Sequence, residues 1–390
     1  PKVALRAVDY YTRFAGFVDA VGPAGGENVN DGKRGGMRLA LAWEPSEWVR
    51  ITPRVVYQEV EADGFNRQEI FNLYSNPFTV PPRVFDEREQ YLLLREKFSD
   101  KTRLADLTVS ADVGPVEFTY IGSYIDRDIL VSRDASALTG SVSVDLGFPT
   151  AAVNLPSNLR DTTSLKQWSH EARVTSSNES PFQWVLGAFF SNVDRFYRQR
   201  LPTPGYDAFT DARLGAGTSA AVANGFPADS PYNSNLPYDI SQVAVFGEAT
   251  YDLGQFKLTA GGRYYDFEER RQFISGGLFS NGDNRTDRTT SNGFSPRAIL
   301  TWEPTNNLNV NLQAAKGFRL GGVNDPLNLP LCSPQDAVLF GGFQDYDDET
   351  LWNYEAGVKY SRGPVTFNAA AFYTDIKNLQ VTLDAGSCSS

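Results

Sequence analysis

Residues 295–324 read SPRAILTWEPTNNLNVNLQAAKGFRLGGVN, and residues 349–381 read ETLWNYEAGVKYSRGPVTFNAAAFYTDIKNLQV. Apolar side chains fall at every second position in four runs. Ala298, Leu300 and Trp302 alternate with Arg297, Ile299 and Thr301. Leu308, Val310 and Leu312 alternate with Asn309, Asn311 and Gln313. Trp352, Tyr354 and Val358 alternate with Asn353, Glu355 and Lys359, and Phe367 and Ala369 alternate with Asn368 and Ala370. A strand turns successive side chains to opposite faces, so each run predicts a strand with one apolar and one more polar face. The joints at Pro304–Asn306 and Arg362–Pro364 are tight, and the joint at 321–349 is long. Short turns at one end and long loops at the other, with dyad alternation, predict an outer-membrane β-barrel.

The rest of the chain repeats the pattern. Tight turns fall at Glu44–Glu47, Gly114-Pro115, Asn178–Pro181 and Gly254-Gln255. Long segments lie at about 19–34, 62–101, 129–166, 201–239, 273–293 and 321–349. Every tight turn is followed by a long segment, so all the long ones are expected at one end. The fold class read here is all-β: about thirteen antiparallel strands of a transmembrane barrel, as one domain over residues 1–390. Pro53 lies inside a strand-like run, and a bulge or local disorder is expected there, because proline removes a ladder donor. Trp43, Trp48, Trp184 and Trp302 all sit beside tight turns, where an aromatic girdle would meet a membrane interface. Closed single-chain barrels have even strand numbers and no open edges, so this stretch is expected to be the middle of a longer protein.

Composition narrows the function. The formal charge is −11, from 36 Lys and Arg against 47 Asp and Glu, which argues against a nucleic-acid partner. No run of about eighteen apolar residues is present, so no helix would span a bilayer; a barrel strand needs only about ten. One His and one Met are a sparse supply for metal chemistry, and no metal site is expected. There is no GxSxG, P-loop or CxxC motif, and no catalytic residue or cofactor is assigned.

The segments AAKGFRLGGVN, ETLWNYEAGVKY, RGPVTFNAAAFYTDIKNLQV and VFGEATYDL with KLTAGGRYYDFEER resemble the TonB-dependent outer-membrane receptors of the iron-complex type. KRGGMRLALAWEPSEWVRITPRVVYQ extends the likeness towards the first residues. The resemblance implies a 22-stranded barrel with a plug in its lumen, of which this chain would hold about the second to fourteenth strands. It implies location in the bacterial outer membrane, contact with its lipid, and energy from TonB through a plug and N-terminal segment outside this chain. It also implies a scarce ligand, by analogy a ferric siderophore. The alternatives are a non-iron ligand (an aromatic compound, oligosaccharide or vitamin) or a passive porin.

Alternation assigns Glu171, Arg173, Glu248, Arg263, Arg297, Glu303, Glu355 and Lys359 to the lumen, either touching a plug or pairing with one another across strands. The long loops carry the ligand candidates: Phe78, Arg83, Phe85, Tyr206, Phe209, Tyr232, Tyr238, Phe340, Phe343 and Tyr346, with Arg319 where its strand leaves the barrel. Aromatic rings with Arg suit a planar anion, such as a catecholate or hydroxamate metal chelate or an aromatic acid, and suit sugar stacking nearly as well. Cys332 and Cys388 both return to the long-loop end, so a disulfide is expected there; two free thiols are the alternative. His170 stands alone and reads as structural.

Overall fold

The computed structural model describes residues 2–69, 85–327 and 332–383. In chain order the elements are β1 (Val3–Phe14), β2 (Asp19–Val21), β3 (Gly32–Ser46), β4 (Val49–Ala62), β5 (Glu89–Tyr91), β6 (Lys97–Val113), β7 (Val116–Asp134), α1 (Ser136–Asp145), α2 (Thr150–Val153), β8 (Asn158–Ser176) and β9 (Phe182–Arg200). They continue with α3 (Tyr206–Leu214), α4 (Thr218–Val222), β10 (Asn233–Asp252), β11 (Phe256–Gly276), β12 (Asn284–Thr305), β13 (Leu308–Arg319), β14 (Gly322–Val323), α5 (Pro334–Phe340), β15 (Asp345–Tyr346), β16 (Glu349–Arg362) and β17 (Val365–Lys377).

Thirteen of the strands form one antiparallel sheet in the order β1-β3-β4-β6-β7-β8-β9-β10-β11-β12-β13-β16-β17. Each strand pairs with its neighbour along the sequence, apart from the short strands held in connections. Six short turns therefore share one end of the sheet and the long connections share the other. Gly114 and Gly363 sit in two of the turns at φ +62° and +58°, a conformation that strains any residue with a Cβ. The register carries one face across the sheet. Thr119 pairs with Arg173, Arg173 with Gly187, Gly187 with Phe246, Phe246 with Arg263 and Arg263 with Ser295. Glu248 pairs with Gly261, Gly261 with Arg297, Arg297 with Ala315 and Ala315 with Asn353. Paired residues point the same way, so these positions and their every-second neighbours make one polar face.

The structure departs from the alternation pattern in three places. Strands run further than their amphipathic signal: the expected loop at 273–293 narrows to a tip between Gly276 and Asn284, and that at 129–166 to a connection between Asp134 and Asn158. Near that end both faces turn polar, so the pattern fades while the hydrogen-bond ladder continues. At Pro53 there is neither a bulge nor disorder. Its pairing with Leu107 is regular, while the ladder to β3 lapses at Leu41 and Ala42. The missing N–H thus falls on one side of the strand only. Finally, β5 pairs parallel with β2, a contact between two connections that alternation cannot show.

The long connections build their own core. Ala135, Val142, Phe148, Ala152, Leu201, Tyr206 and Phe279 are buried together, with Phe209, Tyr232 and Leu278 packed on them. They come from the β7–β8, β9–β10 and β11–β12 connections, which thereby form one cap. No sequence periodicity marked its helices, because each is short.

Candidate functional site

The polar face carries the candidate site. Glu171, Arg173, Glu248, Arg263, Arg297, Glu355 and Lys359 all fall on it by register. Several pair with each other: Arg173 with Glu171 at 3.6 Å, and Arg297 with Glu248 at 3.5 Å. Arg297 also donates from Nη2 to Gln313 Oε1 at 3.1 Å. Lys257 donates to Glu303 at 3.0 Å, beside Asn309. Arg263 lies 5.1 Å from the Phe189 ring centroid, and Tyr265 stacks on Phe318 at 3.7 Å.

Towards the long-connection end this face gathers cations and rings. Arg195 stacks over Tyr238 at 5.0 Å and Tyr197 at 5.5 Å. Tyr238 pairs in the ladder with Arg271, which pairs with Asp287. Arg271 is buried. Its Nη2 donates to Asp287 at 3.1 Å and to the Asn324 carbonyl at 3.2 Å, and its Nη1 to Asp325 at 2.8 Å. Arg285 shares Asp287 at 3.2 Å and the Asn324 carbonyl at 3.3 Å. The β13–β16 connection is therefore tied to the polar face of β11 and β12.

The ligand candidates do not converge on one site. Phe78 and Arg83 lie outside the described residues. Phe85 is buried. Tyr206 is a correction: it is fully buried in the cap, held 2.9 Å from Ser143, so its ring is not offered to a ligand. Tyr232 and Phe209 pack on the same core, and burial pushes the Tyr232 hydroxyl up to about 12. Tyr238 stands on the polar face. Arg319 ends β13 and donates to the Gln380 carbonyl at 3.4 Å. Phe343 and Tyr346 are exposed on the β13–β16 connection, with Phe340 half-buried in α5. Cys332 precedes α5, and its expected partner Cys388 lies outside the described residues. Arg195, Arg271, Asp287 and Asp325 were not singled out by sequence. Extending the parity of Arg263 along β11 would have reached Arg271. Asp325 had no signal, because only tertiary folding brings it there.

The opposite face is apolar between two belts. Beside the short turns it carries Trp43, Phe182, Tyr251, Phe256 and Trp302. Further up it carries ion pairs such as Arg103 with Asp126 at 3.0 Å and Arg288 with Glu268 at 3.0 Å. On β10 the stretch from Asp239 to Tyr251 rises roughly 40 Å, about 28 Å tall at a tilt of ~45°, close to the ~25 Å apolar band of a membrane barrel. His170 lies on this face, 2.8 Å from the Tyr120 hydroxyl. Among the described residues no group of His, Cys, Asp and Glu is placed to hold a metal ion.

Residues 96–390 match the family model described as TonB dependent receptor-like, beta-barrel. The chain belongs to this family. Solved structures share the fold at low identity. The ferric yersiniabactin uptake receptor FyuA from Yersinia pestis superposes with a TM-score of 0.68 at 14% identity, over 97% of this chain and 50% of that one. The ferric citrate transporter FecA gives 0.63 at 12% identity, over 100% and 49%. The copper transporter OprC gives 0.59 at 14% identity, over 96% and 49%. The chain thus spans about half the length of these matched structures. The thirteen-stranded sheet is part of a receptor-type barrel fold.

Proposed function

We propose that the protein takes up a ferric siderophore across the bacterial outer membrane, driven by the TonB complex through a plug lying outside this stretch. The apolar face meets lipid, and the aromatic belt sits at the periplasmic interface. The long connections then face outward, where a ligand first arrives. The observation that carries the reading is the cluster of Arg195, Tyr238 and Arg271 on the polar face directly beneath those connections. Cationic guanidinium and aromatic surface together suit an anionic chelate. Two of the matched structures are named for ferric ligands, which favours iron over the other cargoes.

Deleting the gene should slow growth under iron starvation and abolish uptake of a radiolabelled ferric chelate. Removing TonB should have the same effect. Undiminished uptake of every ferric chelate in the deletion strain would sink the reading.

A further inference from the structure

We propose that Arg271 and Arg285 form a carboxylate-binding subsite, that Asp325 occupies it in the unliganded protein, and that the ligand's own carboxylate replaces Asp325. The inference rests on the uptake reading for its biological use, but not for its geometry.

The charge balance leads to it. Two guanidinium groups, Arg271 and Arg285, converge on the strand carboxylate Asp287 at 3.1 and 3.2 Å. Glu269, on the same face, interacts with both Arg271 and Arg195, so these three guanidinium groups against two strand carboxylates leave one positive charge unmatched. Asp325 supplies the match, 2.8 Å from Arg271 Nη1. The two carboxylates differ in kind. Asp287 sits on β12 with its side chain only 16% exposed. Asp325 comes from a connection, and its side chain is 59% exposed even while paired. It is the anion that can leave without breaking a ladder. Of the fork that Nη1 and Nη2 form, Nη2 is held by Asp287 and the Asn324 carbonyl, and Asp325 is bonded through Nη1 alone, the N–H group an incoming carboxylate takes over. Next to the subsite lies Tyr238, half-buried, with Arg195 over one face of its ring. The class of ligand this selects is a carboxylate next to a planar ring.

An internal carboxylate competes with a ligand as if present at high local concentration. Its removal should therefore strengthen ligand binding, the opposite of what loss of a binding residue does.

Salicylate is a suitable probe, being a fluorescent aromatic carboxylate, with salicylamide as its neutral counterpart. Both are titrated by fluorescence into the full-length receptor in detergent, with folding checked by heat-modifiable gel mobility. Asp325→Asn should bind salicylate roughly tenfold or more tighter than the parent, as expected when a competing charge-assisted bond is lost. Arg271→Lys, which keeps charge but not the fork, should bind it more weakly than the parent. Salicylamide should respond to neither change. Unchanged or weakened salicylate binding in folded Asp325→Asn overturns the proposal, as does an equal gain for salicylamide. Because the readout is binding, a receptor that passes this test but imports no iron would remove the uptake reading and leave the subsite standing.

Discussion

Ser143 Oγ and Tyr206 Oη lie 2.9 Å apart inside the cap, on helices from two different connections. The Tyr206 ring packs against Phe148 at 5.5 Å and edge-on to Phe279 at 5.6 Å, so one side chain holds three connections together. Tyr206→Phe should cost about 0.5–1 kcal/mol, because Ser143 keeps its bond to the Thr139 carbonyl. Tyr206→Ala should cost about 3–5 kcal/mol of cap stability. Limited proteolysis of the connections checks this, and equal cleavage rates in the two variants would refute the central role. Burial also pushes the Tyr206 hydroxyl from 10.0 up to about 12. Its contribution is thus complete below pH 10.0 and fades as pH rises through about 12.

The apolar face should tolerate a charge according to depth. Val245 lies midway between Asp239 and Tyr251 on β10, whereas Val310 stands near the short turn beside Trp302. Val245→Arg should cost about 2–4 kcal/mol and Val310→Arg about 0–1 kcal/mol. Folding yields into lipid vesicles would show the difference. The reverse order would mean that the membrane boundaries are misplaced.

The β4–β6 connection should be sensitive to acid. Glu96 and Glu69 lie near Arg67 and Asp134, and burial raises both carboxyl groups above their ordinary value, outweighing Arg67. A raised carboxyl favours the folded state when protonated, so its contribution is present at low pH and lost as pH rises through the folded value. Lowering the pH from neutral towards the ordinary carboxylate range should therefore tighten the described part of this segment. Hydrogen exchange at Leu93 and Leu94, whose amides donate to Asp134 at 2.6 and 3.1 Å, reads it directly. Faster exchange at the lower pH, after correction for intrinsic rates, would contradict the sign.

We also propose that Cys332 bonds to Cys388, tying two connections on the outer side. In the chain-entropy model a loop of this length contributes about 4 kcal/mol. A membrane-impermeant maleimide should label neither thiol before reduction and both afterwards. Labelling of both without reductant would exclude the bond.

The chain's alternation marked the thirteen long strands over their amphipathic lengths, their two faces and the sidedness of the turns, though not how far each strand runs. A two-residue period leaves one choice of face for Arg263, Arg297 and Glu355 once Leu312 and Tyr354 are apolar. That information is local, which is why it survives in a bare sequence. Helices α1 and α3 were illegible, since α1 buries Val142 and Ser143, and α3 buries Tyr206, against other connections rather than along an apolar stripe of their own. For the same reason Tyr206, an aromatic in a long loop, looked like ligand surface and proved to be core. The Arg271–Asp325 pair depends on residues 54 positions apart. Its place was decided only when the β13–β16 connection folded back onto the sheet, because charge pairing acts through space and leaves no period along the chain.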